Sequence, residues 1–305
     1  VKVNDMTFDF EDWRTTQIGR VEAALDRSIE AHSPADLGVA MRHGVLEGGK
    51  RLRALLVLAA ADAVGGNLDA ALRAACAVEM MHAYSLIHDD MPCMDNDVLR
   101  RGKPTVHVAF GQAQALLAGD ALQALAFEIL TPDHANIPSD VQAKLCRILA
   151  RASGLNGMAG GQAIDLASVG KRLTQAQLRR MHELKTGALL KASVEMGAAC
   201  QANWDKGLQA STLAGLASYG LAVGLAFQVV DDILDVTADE ATLGKTAGKD
   251  AEQNKPTYVS LLGPDAAKNY ASELLDKALA ALDACGLVNT MALKMLAAQL
   301  VQRQS

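Results

Sequence analysis

Apolar residues recur at helical spacing along almost the whole chain. Ile18, Val21, Ala24 and Leu25 form one set, and Leu52, Leu55, Leu56, Ala59 and Ala60 a second; Leu116, Leu117, Leu122 and Leu125 form a third, and Leu279 and Leu282 continue the pattern near the end. Alternating runs of the strand type are scarce, so the pattern predicts helices and little sheet. Breaks fall where turn residues collect, at His32-Ser33-Pro34, Gly65-Gly66-Asn67, Thr131 to Ser139 and Gly263-Pro264. Thr174 and Gln177 have the spacing of a capping box at a helix start. The apolar period runs through without a repeat or a compositional shift, which predicts one all-α domain over residues 1–305. The segment from Thr237 to Thr257 departs from it, being polar and carrying Gly244, Lys245, Gly248, Lys249 and Lys255. A loop over a site and an idle surface loop both fit that composition.

Composition narrows the function. Half of the 305 residues are hydrophobic and only 4% aromatic, enough for a large core built of helices. The net charge, 29 − 35 = −6, argues against a nucleic-acid footprint. Cys76, Cys93, Cys146, Cys200 and Cys285 lie far apart in no metal or redox spacing, as expected of reduced thiols in the cytoplasm. No signal-like segment opens the chain and no uninterrupted apolar run approaches the roughly 20 residues needed to span a bilayer, so a soluble protein without membrane insertion is expected.

Two acidic clusters change the picture. The first runs from His88 through Asp89, Asp90, Pro92 and Asp95 to Asn96 and Asp97; the second holds Gln228, Asp231, Asp232 and Asp235. Each ends an apolar helical run, where adjacent carboxylates repel and are costly to desolvate. Gly224, Gln228, Asp231 and Asp235 follow at intervals of four, three and four, so they share one helix face. Carboxylates held one turn apart suit magnesium, whose remaining positions go to water or phosphate oxygens. Gly220 and Gly224 leave that face open to a close neighbour, either a ligand or a packed helix. Asp89 and Asp95 are six residues apart and would diverge on an ideal helix. Pro92 is expected to distort the chain and let Asp95 swing back towards Asp89. His82, two turns before Asp89, lies on the same face.

Carboxylates repel a diphosphate, so metal ions must bridge the two and basic side chains must neutralise the remainder. Candidates are Lys50, Arg51 and Arg53 after Gly48-Gly49, at a helix start where free N–H groups also favour anions, then Arg100 and Arg101, Lys185 beside Thr186, and Lys245 and Lys255. Lys245-Thr246 is not a P-loop, because Asp239 occupies the position of its first glycine.

These segments together resemble the trans-isoprenyl diphosphate synthase family, closest to its bacterial farnesyl diphosphate synthases. The resemblance is carried by GGKRLR (48–53), AYSLIHDDMPCMDNDVLRRGKPTVH (83–107), LAGDALQALAF (117–127), MAGGQAIDL (158–166), HELKTGAL (182–189), GLAFQVVDDILD (224–235), TLGKTAGKD (242–250) and KPTYVSLLG (255–263). It implies an antiparallel bundle of roughly ten helices around a central cavity, and a homodimer. It also implies magnesium-dependent head-to-tail condensation of isopentenyl diphosphate with an allylic diphosphate. By the same resemblance Asp89, Asp95 and Asp231 hold three magnesium ions, with Asp90, Asp232 and Asp235 in support. Arg100, Lys185, Thr186, Gln228, Lys245 and Lys255 contact the allylic diphosphate, while Lys50, Arg53, His82 and Arg101 bind isopentenyl diphosphate.

Two positions depart from the family pattern. Ala54 stands where proline usually follows GGKRLR, and Asn96 replaces an aspartate of some relatives. In the family the residues four and five before the first aspartate shape the pocket floor. Here they are Ser85 and Tyr84, which implies a farnesyl product; ordinary core packing also accounts for Tyr84. A class I terpene cyclase would require a different second motif, and a di-iron bundle a second Glu-x-x-His element beside Glu79-Met-Met-His82. A non-catalytic partner subunit would be expected to lose aspartates.

Overall fold

The computed structural model describes residues 8–32, 34–46, 48–133, 136–201, 208–237 and 256–302. Lys245, Lys255 and most of the polar segment that contains them lie outside the described residues. The helices in chain order are α1 (Phe10–Ser28), α2 (Leu37–Val45), α3 (Leu52–Ala63), α4 (Leu68–Asp89), α5 (Val106–Phe110), α6 (Gln112–Glu128) and α7 (Ser139–Ser153). They continue with α8 (Met158–Ser168), α9 (Gln175–His182), α10 (Ala188–Ala199), α11 (Ala210–Thr237), α12 (Tyr258–Leu262), α13 (Pro264–Ala284) and α14 (Met291–Gln302). A π-helical turn, Glu183–Gly187, joins α9 to α10 in one rod. A two-stranded ribbon, β1 (Leu99–Arg100) against β2 (Lys103–Pro104), is the one sheet among the described residues. The architecture is all-α, as anticipated. The segments outnumber the expected rods because α5 and α12 are five-residue turns and α9 and α10 are halves of one rod.

Helix boundaries follow local chemistry. Asp9 caps α1 through Asp12 N–H, Asn67 caps α4 through Ala70 N–H, and Thr174 and Gln177 close the expected capping box on α9. Pro264 opens α13 directly after Gly263, whose φ of 83° suits only glycine.

Helices α3 and α10 form the middle of the molecule and are buried on both faces. Ala54, Val57, Leu58 and Ala61 of α3 join one apolar core with Leu189, Ala192 and Met196 of α10. Leu55, Leu56, Ala59 and Ala60 of α3 join a second core with Leu190, Val194 and Ala198. α11 is long and apolar enough to cross a membrane by length and composition, but it packs between α10 and α13 and ends in the second acidic cluster.

Arg51 ties the entrance of α3 to its neighbours. At φ 49° it turns the chain and buries its guanidinium, which donates to Val45 O at 2.7 Å, Glu22 at 2.6 Å and Glu79 at 3.2 Å. Burial alone would lower its pKa, but Glu22 and Glu79 outweigh that and hold it above the ordinary value. Glu79 also accepts from Ala54 N–H at 3.1 Å. The departure at Ala54 therefore supplies a donor that proline lacks.

Restoring proline should remove that bond. A hydrogen bond to a charged group contributes about 1.5–3 kcal/mol, and the stiffer unfolded chain returns about 0.4–1 kcal/mol. Urea denaturation of Ala54→Pro is expected to show a net loss of about 1 kcal/mol at unchanged m. An equal or higher midpoint would mean that the Glu79 contact contributes nothing.

Candidate active site

The first acidic cluster folds as its proline requires. α4 stops at Asp89, and the chain doubles back through a turn in which Met94 N–H reaches Met91 O at 2.8 Å and Asn96 N–H reaches the same carbonyl at 3.1 Å. Asp95 N–H donates to Asp89 O at 2.9 Å, so the two aspartates come together and both line one cleft. Asp90, one position on, points away from it and is buried. It receives a bidentate pair from Arg100 on β1, with Nε–Oδ2 at 2.8 Å and Nη2–Oδ1 at 2.5 Å. Arg100 borders the cleft as expected of a diphosphate contact, but its Nε and Nη2 are already taken by Asp90.

The opposite wall is organised by the π-helical turn, whose extra residue widens the helix. Two glycines let neighbouring helices touch its backbone: a Cβ on Gly161 of α8 would lie 2.1 Å from Lys185 N, and one on Gly224 of α11 would lie 2.8 Å from Gly187 Cα. Gly224 thus serves helix packing. One turn beyond Gly161, Asp165 holds Lys185 Nζ at 2.5 Å. One turn beyond Gly224, Gln228 accepts from Thr186 Oγ1 at 3.0 Å and donates to Asp232 Oδ1 at 2.8 Å. Asp232 Oδ2 accepts from Tyr258 N–H at 2.7 Å, so this carboxylate is buried in a support role. Asp231 and Asp235 border the cleft from the same helix, as their spacing predicts.

The cleft measures about 1580 Å³ out to its open mouth, and its lining carries both carboxylates and cations. Burial pushes the Asp89 carboxyl up to about 6, with Asp95 and Asp90 adding to the rise and Lys185 and Arg100 opposing it. Burial would lower Lys185, but Asp165 and Asp89 outweigh it and keep the ammonium charged. Burial also holds His82, on α4 two turns before Asp89, well below its ordinary value, helped by Arg53 and Arg101, so its imidazole is neutral. Burial, opposed by Glu79 and aided by Arg101, brings Arg53 down to about 10, and its Nε has no hydrogen-bond partner. Arg101 at φ 53° donates to Gly48 O at 2.7 Å and joins this cluster.

Three expected residues lie elsewhere. Lys50 is exposed and lines a separate groove with Arg14, Leu296 and Gln302, because the left-handed Arg51 turns the chain between Lys50 and Arg53. Tyr84 is buried on α4, edge-on to His88 with ring centroids 5.6 Å apart, and Ser85 Oγ donates to His82 O at 2.8 Å. Neither borders the aspartate cleft. Two residues that do were not singled out from sequence. Asp165 could have been found only through its place in the segment around Gly161. His182 is buried, is lowered to about 4 by burial, and has no partner on either ring nitrogen.

Among the described residues no three acidic, histidine or cysteine side chains form a ready-made metal cage. The donor set still fits magnesium: carboxylate oxygens on two walls, Asp89 crowded by like charge, and an open cleft for water and phosphate oxygens. A proton and a metal compete for Asp89, so magnesium affinity should fall as pH drops through about 6 and level off above it. Titration calorimetry between pH 5 and 8 should show about a tenfold loss per unit below that point, with protons released on binding. A pH-independent affinity would remove Asp89 from the metal site.

A family model described as polyprenyl synthetase matches residues 35–300. A probable farnesyl diphosphate synthase of Sinorhizobium fredii is 51% identical over 273 residues, which are 88% of this chain and 80% of that protein. The farnesyl diphosphate synthase of Escherichia coli is 48% identical over 266 residues, 86% of this chain and 88% of its own. A solved geranyltransferase of Helicobacter pylori, complexed with magnesium and isoprenyl diphosphate, is similar at a TM-score of 0.82 and 36% identity, covering 98% of this chain and 99% of that one. Two carboxylate clusters, a half-buried lysine and an arginine–histidine group around one cleft agree with that likeness, and the chain belongs to the polyprenyl synthetase family.

Proposed function

We propose that this chain is a farnesyl diphosphate synthase: it joins isopentenyl diphosphate head-to-tail to dimethylallyl diphosphate, and then to geranyl diphosphate. The observation that carries the reading is one cleft lined by both an acidic group, Asp89, Asp95 and Asp231, and a basic group, Arg53, His82 and Arg101, which together support two diphosphate sites. One is acidic and needs metal; the other is cationic and does not. A single-substrate diphosphate enzyme requires only the first.

Asp89, Asp95 and Asp231 would hold three magnesium ions, with Asp235 beside them. Magnesium, when bound, neutralises the allylic diphosphate and stabilises the charge it gains on leaving. Lys185 and Thr186 on the π-helical turn, and Gln228 facing them, fix that diphosphate from the opposite side; Lys245 and Lys255 are assigned to it by resemblance alone. Arg53, neutral His82 and Arg101 hold isopentenyl diphosphate, and a bound anion relieves the repulsion among their charges. The allylic C–O bond breaks with its electron pair going to the diphosphate. The isopentenyl double bond then supplies the pair for the new C–C bond, and a proton passes to the departed diphosphate. These side chains place both molecules and screen the cation from water.

Product length is assigned to Tyr84 by resemblance alone; it is buried on α4, five residues before the first aspartate. The chain is proposed to act in the cytoplasm, in keeping with five unpaired cysteines, and as a single domain. It is also proposed to pair as a homodimer across α6, which leaves Leu116 and Leu117 exposed beside Val108 of α5. Sedimentation equilibrium should give twice the 32.1 kDa chain mass for the wild type and the chain mass for Leu117→Glu; a monomeric wild type would refute the pairing.

Incubation with isopentenyl and dimethylallyl diphosphates should yield farnesyl diphosphate only with magnesium, and Tyr84→Ala should lengthen the product. An active variant with unchanged products would remove Tyr84 from the floor. Absence of condensation, with metal-dependent release of diphosphate from farnesyl diphosphate, would favour a cyclase instead.

A further inference from the structure

Between α7, α10 and the start of α11 lies a groove of about 1100 Å³ that borders none of the residues assigned above. Lys144, Arg147 and Arg151 reach it from α7 at intervals of three and four, which makes one stripe. Lys191 reaches it from α10. The lining contains one carboxylate, Glu195, which pairs with Lys191 at 3.3 Å. Four cations less one carboxylate leave a surplus of three positive charges, in a chain whose net charge is −6. Among the described residues neither Arg147 nor Arg151 has an ion-pair partner. Lys144 is lowered by burial and by Arg147, with Glu195 opposing, so the stripe is crowded with like charge.

Apart from Asn156, the rest of the lining is apolar. Ala188, Ala192 and Ala199 of α10 form a floor of small side chains, and Leu213 and Leu216 close it from α11. The groove thus offers a cationic rim beside an apolar trough. An inorganic anion would leave the trough unused, and a neutral lipid would leave the charges unused. An anionic head on a narrow hydrocarbon chain uses both, and arginine is well suited to a phosphate head. We propose that this groove is a second binding site for a prenyl diphosphate, outside the aspartate cleft and independent of magnesium. The proposal rests on the reading of the chain as a prenyl diphosphate synthase, which places such amphiphiles within its reach.

Equilibrium dialysis in EDTA tests it, with farnesyl diphosphate, inorganic diphosphate and phosphatidylglycerol vesicles as separate probes. The wild type is compared with the double variant Arg147→Gln/Arg151→Gln; both arginines are exposed, and the variant should keep its thermal midpoint and its condensation rate. Wild type should bind one more farnesyl diphosphate per chain, with affinity roughly tenfold or more above that of the variant. Inorganic diphosphate should bind the groove roughly tenfold or more weakly than farnesyl diphosphate. Identical farnesyl diphosphate isotherms for the two proteins overturn the proposal. Equal affinity for both diphosphates also overturns it, since the trough would then be idle. Arginine-dependent capture of vesicles without binding of soluble farnesyl diphosphate would make the groove a membrane contact. Magnesium-dependent condensation is measured on the same preparations: its absence in the wild type sinks the synthase reading, while identical isotherms with full activity sink only the groove.

Discussion

The ion pair between Lys185 and Asp165, 2.5 Å long, sits where α8, the π-helical turn and α11 come closest. Placing a lysine there is costly, because burial favours the neutral amine; the adjacent carboxylate and Asp89 reverse that preference. The backbone contacts at Gly161 and Gly224 make the pairing possible. Any side chain at either glycine would push a helix off the turn and carry Asp165 or Gln228 out of reach. The cleft's geometry on this wall therefore depends on two missing methyl groups and one extra residue in a helical turn. Thr186, Gln228 and Asp232 extend the same contact as a chain of hydrogen bonds that ends on the backbone of Tyr258.

Charge is unbalanced in the cleft. Asp89 is crowded by carboxylates, while Arg53 and His82 are crowded by arginines, and both groups are shifted towards their neutral forms. The unlike charges that could cancel them are committed elsewhere: Arg100 to Asp90, Lys185 to Asp165, Arg51 to Glu22 and Glu79. These pairs fix the walls without filling the space between them. A cation bound among the carboxylates, or an anion bound among the arginines, would supply the missing counter-charge and remove a repulsion as well as adding contacts.

Much of this was legible in the sequence, and the exceptions share a cause. Periodicity predicts α3 from Leu52, Leu55, Leu56, Ala59 and Ala60, but its other face, Ala54, Val57, Leu58 and Ala61, is equally buried, which no single amphipathic stripe announces. The return of Asp95 to Asp89 followed from Pro92. The shared face of Asp231 and Asp235 followed from their spacing. Lys50, assigned by resemblance, lines a separate groove here, because the left-handed Arg51 turns the chain between it and Arg53, a turn that leaves no mark in the period. Asp165 escaped because its contact spans twenty residues and requires a π-helical turn that leaves no mark in hydrophobic patterning. Backbone conformations that break the period are where sequence reasoning lost the site.

The doubled aspartates show what the period does explain. Neighbours on a helix point about 100° apart, so two adjacent carboxylates cannot serve the same surface. At the end of α4, Asp89 faces the cleft and Asp90 is buried against Arg100 of the ribbon that follows. Near the end of α11, Asp231 opens to the cleft, whereas Asp232, which also reaches its lining, is buried and has its two oxygens fastened to Gln228 and to the backbone of Tyr258. In both clusters the second aspartate anchors a following segment, the ribbon by Arg100 or the backbone at Tyr258, and the first keeps its carboxylate open to the cleft. An anchored carboxylate also limits how far its neighbour can relax away from like charge. The pair therefore keeps Asp89 close to Asp95 at an electrostatic cost, and it does so before any metal arrives.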